Sequence, residues 1–219
     1  MARNEFLTAA CAVATEAGAI IRKGFGVACR IDFKGPVDLV TEYDRKSEEH
    51  ILARLQALFP QHSILAEESG LAVAGNNSPF EWLVDPLDGT TNFSHGFPFF
   101  AVSIALLEYG RPIVAAVFDP LRDELFASTE TTTATLNAEP ISVSTTARLE
   151  HALLATGFPY DVRTRIRNNL MEFNRMSLRA QGIRRAGAAS LDLCYTACGR
   201  LDGFWEMCLQ PWDVAAGAL

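Results

Sequence analysis

Apolar side chains recur at Phe6, Ala10, Val13, Ala17, Ile20 and Ile21, the three-and-four spacing that turns one face of a helix toward a core. Gly24 and Gly26 close that helix. IDFKGPVDLV, with Gly35-Pro36 inside it, predicts a loop or a short hairpin. A second helix is expected from about Thr41 to Leu58, with Ile51, Leu55 and Leu58 inward and Pro60 just beyond its end. SILAEESG predicts a short strand running into Glu67 and Glu68, and GNNSP (75–79) an exposed loop. WLV is a buried strand that delivers the chain to Asp85, with Pro86 ending it. FFAVSIALLE, IVAAVFD, ELFAS and EPISVS are short apolar runs linked by YGRP and PLRD turns, the pattern of an antiparallel meander.

Near residue 150 the rhythm changes. LLATG, a long helical pattern over 162–180, GIRRAG, the helix SLDLCYTACGR, the strand GFWEMCL and the helix opening PWDVAAGAL alternate strand with helix. The expectation is one unit over 1–219 made of two packed lobes: an antiparallel meander over about 1–147 and a smaller α/β lobe over about 148–219. The final helix reaches Leu219 without a cap or a polar closing turn, so the sequence is expected to continue beyond it.

Composition narrows the functions. The chain has 219 residues, 49% of them hydrophobic, enough for a real core. Its net charge of −7 and lack of a basic run argue against a nucleic-acid partner held through its phosphates. The N-terminal stretch places charges inside an alanine-rich amphipathic pattern, so neither a signal peptide nor a membrane span is expected, and a cytoplasmic location is. The five cysteines (Cys11, Cys29, Cys194, Cys198, Cys208) are odd in number and include no C-x-x-C, and read as reduced thiols. Cys194 and Cys198, four apart on a helix, either hold a soft metal or pack as small apolar side chains.

Several acids close apolar runs: Glu67 after SILA, Asp85 after WLV with Asp88 beside it, and Asp213 in PWDV. Strand ends of a layered fold can meet at one edge. At about 5 Å each like-charge pair costs about 3 kcal/mol at an effective dielectric near 20. Such a cluster persists only if protonated or if it binds cations, and hard oxygen ligands suit Mg²⁺ or Mn²⁺. Gly89-Thr90 adds backbone N–H groups where a helix can start, a favourable place for phosphate, and the Thr90 hydroxyl can hold a water. DPLDG can also be a plain turn. VFDPLRDE (117–124) repeats Asp-Pro-Leu after a strand but lacks Gly-Thr-Thr, and is read as a hairpin turn alone.

WLVDPLDGTTNF, the upstream AEES and the downstream PWDVAAG together resemble the inositol monophosphatase family of metal-dependent, lithium-sensitive sugar phosphatases, and the bacterial branch most. DLVTEYD (38–44), GFPFFAVSIAL and RRAGAASLDLCYTACGRLDGFWE extend the likeness. The resemblance implies a layered αβαβα sandwich and a homodimer. It implies Glu67, Asp85 and the Leu87 carbonyl as ligands of one Mg²⁺, Asp85, Asp88 and Asp213 as ligands of a second, and a third, weaker site at Glu67, with Mn²⁺ as a substitute. Asp44 and Thr90 would orient and deprotonate the attacking water. Asp88 and the Gly89 and Thr90 amides would face the phosphate, Ala189 and Glu206 the sugar hydroxyls, and Lys34 a loop near the weaker metal.

The residues alone leave plainer readings open. Asp44 stands three after Thr41, a capping-box spacing. Glu206 passes for a polar residue on a strand's open face, Trp212 for packing, and His95 with the other three histidines for incidental positions. The implied activity is hydrolysis of inositol monophosphate to inositol and phosphate by a metal-activated water. The alternatives are fructose 1,6-bisphosphate, histidinol phosphate or a 3′-phosphonucleotide as substrate, or a regulatory protein of a transcription complex.

Overall fold

The computed structural model describes residues 3–28, 30–33, 39–73 and 78–219. Helix α1 (Arg3–Gly24) buries Phe6, Ala10, Val13, Ala17 and Ile21, with Ile20 half-buried at its margin. Strands β1 (Ile31–Phe33) and β2 (Leu39–Thr41) pair antiparallel, the two arms of a hairpin. Gly35-Pro36 and Lys34, the proposed loop contact, lie outside the described residues. Thr41 caps α2 (Glu42–Leu58), which buries Ile51 and Leu55. Leu58 does not point inward as expected: it is 44% exposed, and Phe59 takes the inward place, its ring against Phe6 and His62.

Strands β3 (Ser63–Ala66) and β4 (Gly70–Val73) precede β5 (Phe80–Asp88), the short helix α3 (Thr90–Ser94) and the meander β6 (Ala101–Glu108), β7 (Arg111–Asp119), β8 (Glu124–Thr129), β9 (Thr135–Leu136) and β10 (Glu139–Pro140). Together they form one eight-stranded sheet in the order β10-β9-β8-β7-β6-β5-β3-β4. Every pair is antiparallel except β3 with β5. Alternate residues serve opposite faces. Trp82 and Val84 join a core with α1 and α2, while Leu83 joins another with Leu191, Ala215 and Ala216. Both faces are covered, which is why the strands read as unbroken apolar runs.

Two strand boundaries differ from expectation. Pro86 does not end β5. The strand continues through a register shift, so that Asp85 pairs with Ser103 and Asp88 with Ala101, and the proline sits in the bulge where no ladder N–H is required. EPISVS supplies only Glu139–Pro140 as strand, with one further bond from the Ile141 N–H to the Ala134 carbonyl at 3.0 Å.

The second half contains β11 (Leu153–Thr156), α4 (Leu170–Ser177), β12 (Gly182–Arg184), α5 (Ala189–Ala197), β13 (Gly203–Trp205) and α6 (Pro211–Ala218). Its three strands form a parallel sheet, β12-β11-β13. The long helix expected over 162–180 is only α4. Asn169, with φ +70°, stands at its start in a left-handed conformation that no helix can run through. The strand expected from GFWEMCL stops at Trp205, so Glu206 lies past its end and not on its face. The layers run α1 with α2, the large sheet, α5 with α6, then the small sheet against α5, a layered mixed α/β architecture. Among the described residues no helix is long and apolar enough to cross a membrane.

Candidate active site

The parallel pairing of β3 with β5 brings Glu67 and Asp85 out at the same sheet edge, the Glu67 N–H still donating to the Val84 carbonyl at 3.1 Å. The bulge in β5 turns Asp88 to the same place, and α6, packed on β5, β6 and β7, adds Asp213 from its first turn. These four acids line one cavity of about 640 Å³ together with Leu87, Gly89, Thr90, Gly157, Ala189, Arg185 and Glu206. Trp212, expected only to pack, also forms part of its wall.

Charge crowding governs the acids. The Asp85 carboxyl is pushed well above the usual carboxylate range by burial, then by Glu67, Asp88 and Asp213, and it shares a hydrogen bond with Glu67. Two carboxyl groups can hydrogen-bond to each other only if one carries a proton. Asp213 is pushed up to about 7, by burial first and then by Asp88, Glu67 and Glu206.

The turn at 117–124 shows what the same local sequence does without that crowding. Asp119 is buried like Asp85 and accepts from the Leu121 and Arg122 N–H groups at 2.9 and 3.1 Å. Its charge is matched by the Arg122 guanidinium at 2.8 Å. At the corresponding place three residues after Asp85 stands Asp88, another acid.

Protein donors hold Asp85, Asp88 and Asp213 in place. Asp85 Oδ1 accepts from the Leu87 N–H at 3.0 Å. Asp88 accepts from the Ala189 N–H at 3.2 Å, the Ser190 N–H at 2.7 Å and the Ser190 hydroxyl at 2.5 Å. Asp213 Oδ2 accepts from the Gln210 N–H at 2.6 Å, closing a capping box. Among the described residues no three acids, histidines or cysteines already stand as a closed metal cage. The donor set nonetheless suits a hard divalent cation: all oxygen, and crowded enough that Asp85 is held far above its ordinary range.

Asp44 unites its two readings. Oδ2 closes the capping box on Thr41, accepting from its N–H at 2.8 Å and its hydroxyl at 2.5 Å. Oδ1 accepts from the Thr90 hydroxyl at 2.8 Å across 46 residues of chain. Burial raises the Asp44 carboxyl above its ordinary range even though these bonds oppose the shift. The Thr90 hydroxyl also lies 3.1 Å from the Leu87 carbonyl, and the Ser47 hydroxyl donates to the Pro86 carbonyl at 2.8 Å, so α2 fixes the acid loop from behind. Gly89 has φ +95°, and a Cβ there would lie 3.0 Å from the Phe99 carbonyl oxygen, so glycine alone fits.

Glu206 is half-buried with its carboxyl against Gly157, and is pushed up to about 7 by burial and by Asp88, with Arg185 opposing. Ala189 is buried and lines the cavity. Cys194 and Cys198 pack in the second apolar core. His62 is structural and not incidental, stacked between Phe59 and Phe80 and accepting from the Trp82 indole at 3.1 Å.

The sequence reading missed three polar residues. Asn92 donates to the Phe99 and Ala186 carbonyls at 2.7 and 2.8 Å, clipping α3 to the segment before α5. Ser190 grips Asp88. Asp192 is buried near Asp88 and Glu206, is pushed up to about 8, and has an Oδ1 with no hydrogen-bond partner among the described residues. For Ser190 and Asp192 the available signal was a polar residue within an otherwise apolar helical stretch.

The family model described as the inositol monophosphatase family matches residues 2–219. An inositol-1-monophosphatase of Synechocystis is 50% identical over 210 residues, 94% of this chain and 73% of that protein. A Nus factor SuhB of Pseudomonas aeruginosa is 47% identical over 192 residues, 86% of this chain and 71% of that protein. The crystal structure of the extragenic suppressor protein suhB from Bartonella henselae superposes with a TM-score of 0.91 at 40% identity, covering 97% of this chain and 82% of that one. Whole-chain likeness and the acid-lined cavity agree: this chain belongs to the inositol monophosphatase family.

Proposed function

We infer that the chain is a phosphatase that hydrolyses inositol monophosphate, or a closely similar polyol phosphate, to the free polyol and inorganic phosphate. The observation that carries this reading is the convergence of Glu67, Asp85, Asp88 and Asp213 on one cavity, crowded around the buried Asp85 carboxyl. The relatives named inositol-1-monophosphatase support the substrate.

Glu67, Asp85 and the Leu87 carbonyl would hold one Mg²⁺, Asp85, Asp88 and Asp213 a second, and Glu67 a weaker third, with Mn²⁺ as a substitute. When bound, these ions supply Lewis acidity toward the phosphoryl oxygens. The chain's own groups do the rest. The Gly89 and Thr90 amides bind the phosphate at the start of α3. Because the Thr90 hydroxyl donates to Asp44, its lone pairs remain to accept a proton from the attacking water as its own hydroxyl proton passes to Asp44. Burial of Asp44 favours the neutral acid that results. Glu206 accepts hydrogen bonds from hydroxyls of the leaving polyol, beside Ala189.

Inositol 1-phosphate hydrolysis in Mg²⁺ should vanish in EDTA and fall at least a hundredfold in Asp85→Asn, whose side chain is expected to face both ions. Undiminished turnover by that variant in EDTA removes the mechanism. A preference for fructose 1,6-bisphosphate, histidinol phosphate or a 3′-phosphonucleotide in the same assay removes the substrate assignment. Lithium inhibition and a homodimer belong to this reading by family likeness, and lithium titration and light scattering test them.

The relatives named Nus factor SuhB favour a second reading, regulation within a transcription complex. The readings separate in Asp85→Asn, since a contact-based role outlives the loss of turnover in a cell-based complementation assay.

A further inference from the structure

Asn169 is fully buried, left-handed, and uses its whole amide. Its Nδ2 donates to the Thr156 hydroxyl at 2.8 Å and to the Gly157 carbonyl at 2.6 Å. Its Oδ1 accepts from the Trp205 indole N–H at 2.7 Å. The Thr156 hydroxyl in turn donates to the Trp205 carbonyl at 2.6 Å. Thr156 and Trp205 are the facing last residues of β11 and β13. One side chain therefore ties two strand ends together, and the residue after each is a cavity residue, Gly157 on one side and Glu206 on the other.

Those two residues meet. A Cβ at Gly157 would lie 2.1 Å from both Glu206 carboxylate oxygens, so the carboxylate occupies the space a side chain at 157 would fill. Gly157 is not in the left-handed region, so its missing side chain answers to Glu206 and not to backbone strain. We propose that Asn169 and Gly157 are positioning residues for substrate selection: the Asn169 amide fixes the spacing of the β11 and β13 ends, and the bare Cα of Gly157 seats the Glu206 carboxylate toward the leaving group. This rests on the reading of Glu206 as the leaving-group contact. A merely structural Asn169 would alter stability alone and leave selectivity untouched.

Gly157→Ala is the sharper test, because it leaves the Asn169 amide and the Glu206 side chain chemically intact. Asn169→Asp removes both donations while keeping the shape, and the glycine variant covers the case in which that protein fails to fold. Two quantities are read in each: the ratio of kcat/KM for inositol 1-phosphate to that for 4-nitrophenyl phosphate, and the Glu206 titration followed by carboxyl-carbon NMR in metal-free protein. Displacing the carboxylate into water should bring its titration down from about 7 and lower the substrate ratio roughly tenfold, the loss of hydrogen bonds to a charged acceptor. In a Glu206→Ala background Gly157→Ala should lower the ratio no further. An unchanged Glu206 titration, or a full further loss in that background, overturns the proposal. A shifted titration with a ratio insensitive even to Glu206→Ala supports the positioning and instead overturns the leaving-group reading.

Discussion

Asp44 has one carboxylate and three donors, and their distribution makes the residue testable. Two donors from Thr41 point at Oδ2, and the Thr90 hydroxyl points at Oδ1. In Asp44→Asn the amide oxygen can keep the Thr41 donors, which preserves the helix cap. The new NH₂ group then faces Thr90 and donates to its hydroxyl, reversing that bond. A hydroxyl that accepts from this amide has no carboxylate to pass a proton to. The expected outcome is a fall in kcat of about a hundredfold or more, with KM within about twofold and a thermal midpoint lowered only slightly. Steady-state kinetics beside calorimetry decide it; a kcat near wild type would leave Asp44 a cap and nothing more.

At the level of elements, legibility followed burial. Helices α1 and α2 declare themselves because their apolar positions carry the period of the face they bury, and the strands β5 to β7 because burial on both faces makes them unbroken apolar runs. Helix α4 shows the converse. The sequence from 162 to 180 has helical spacing, but Ile166 is 97% exposed and Leu178 85%, so within this chain no core rewards extending the helix. Asn169 is then used for its side chain and not as a helical residue. The acids Glu67 and Asp85 were legible because each ends an apolar run, and Asp88 because it stands beside Asp85. That Asp44 reaches Thr90 was not derivable from spacing, which gave only the cap; the family likeness supplied the pairing. The partners of Ser190, Asn92 and Asn169 were illegible for the same reason, since each is met over a span that no local pattern records.

For the whole molecule, the crowded acids set how stability varies with pH. Asp85, Asp88, Asp192, Glu206 and Asp213 all bind protons more tightly when folded. A raised carboxyl contributes stability fully below its unfolded value, near 4, and loses it as pH climbs through the folded value. Those values are about 7 for Glu206 and Asp213 and about 8 for Asp192. His62 acts oppositely: burial lowers it, so it costs stability as pH falls below its ordinary range. Asp44 is raised as well. The carboxyls lowered by their partners (Glu16, Asp32, Glu42, Asp161 and Asp202) stay ionised folded or unfolded above about pH 5. Between about pH 5 and 8, then, His62 opposes six raised carboxyls. Metal-free protein should therefore melt at a higher temperature at pH 5 than at pH 8, Asp192→Asn should flatten the decline, and Mg²⁺ should raise the midpoint more at pH 8. Equal or higher melting at pH 8 in EDTA would contradict this balance. The same wiring has a kinetic side. The hairpins of the meander join neighbours and can zip early, whereas Asp88 reaches Ser190 across 102 residues and Asn92 reaches Ala186 across 94. Closing such loops comes late, so on dilution from denaturant the β-sheet signal should return before catalytic activity does. The cavity would then be the last part of the chain to mature, and a nascent or heat-stressed molecule could be folded in outline yet idle; activity that recovered in step with the sheet would show otherwise.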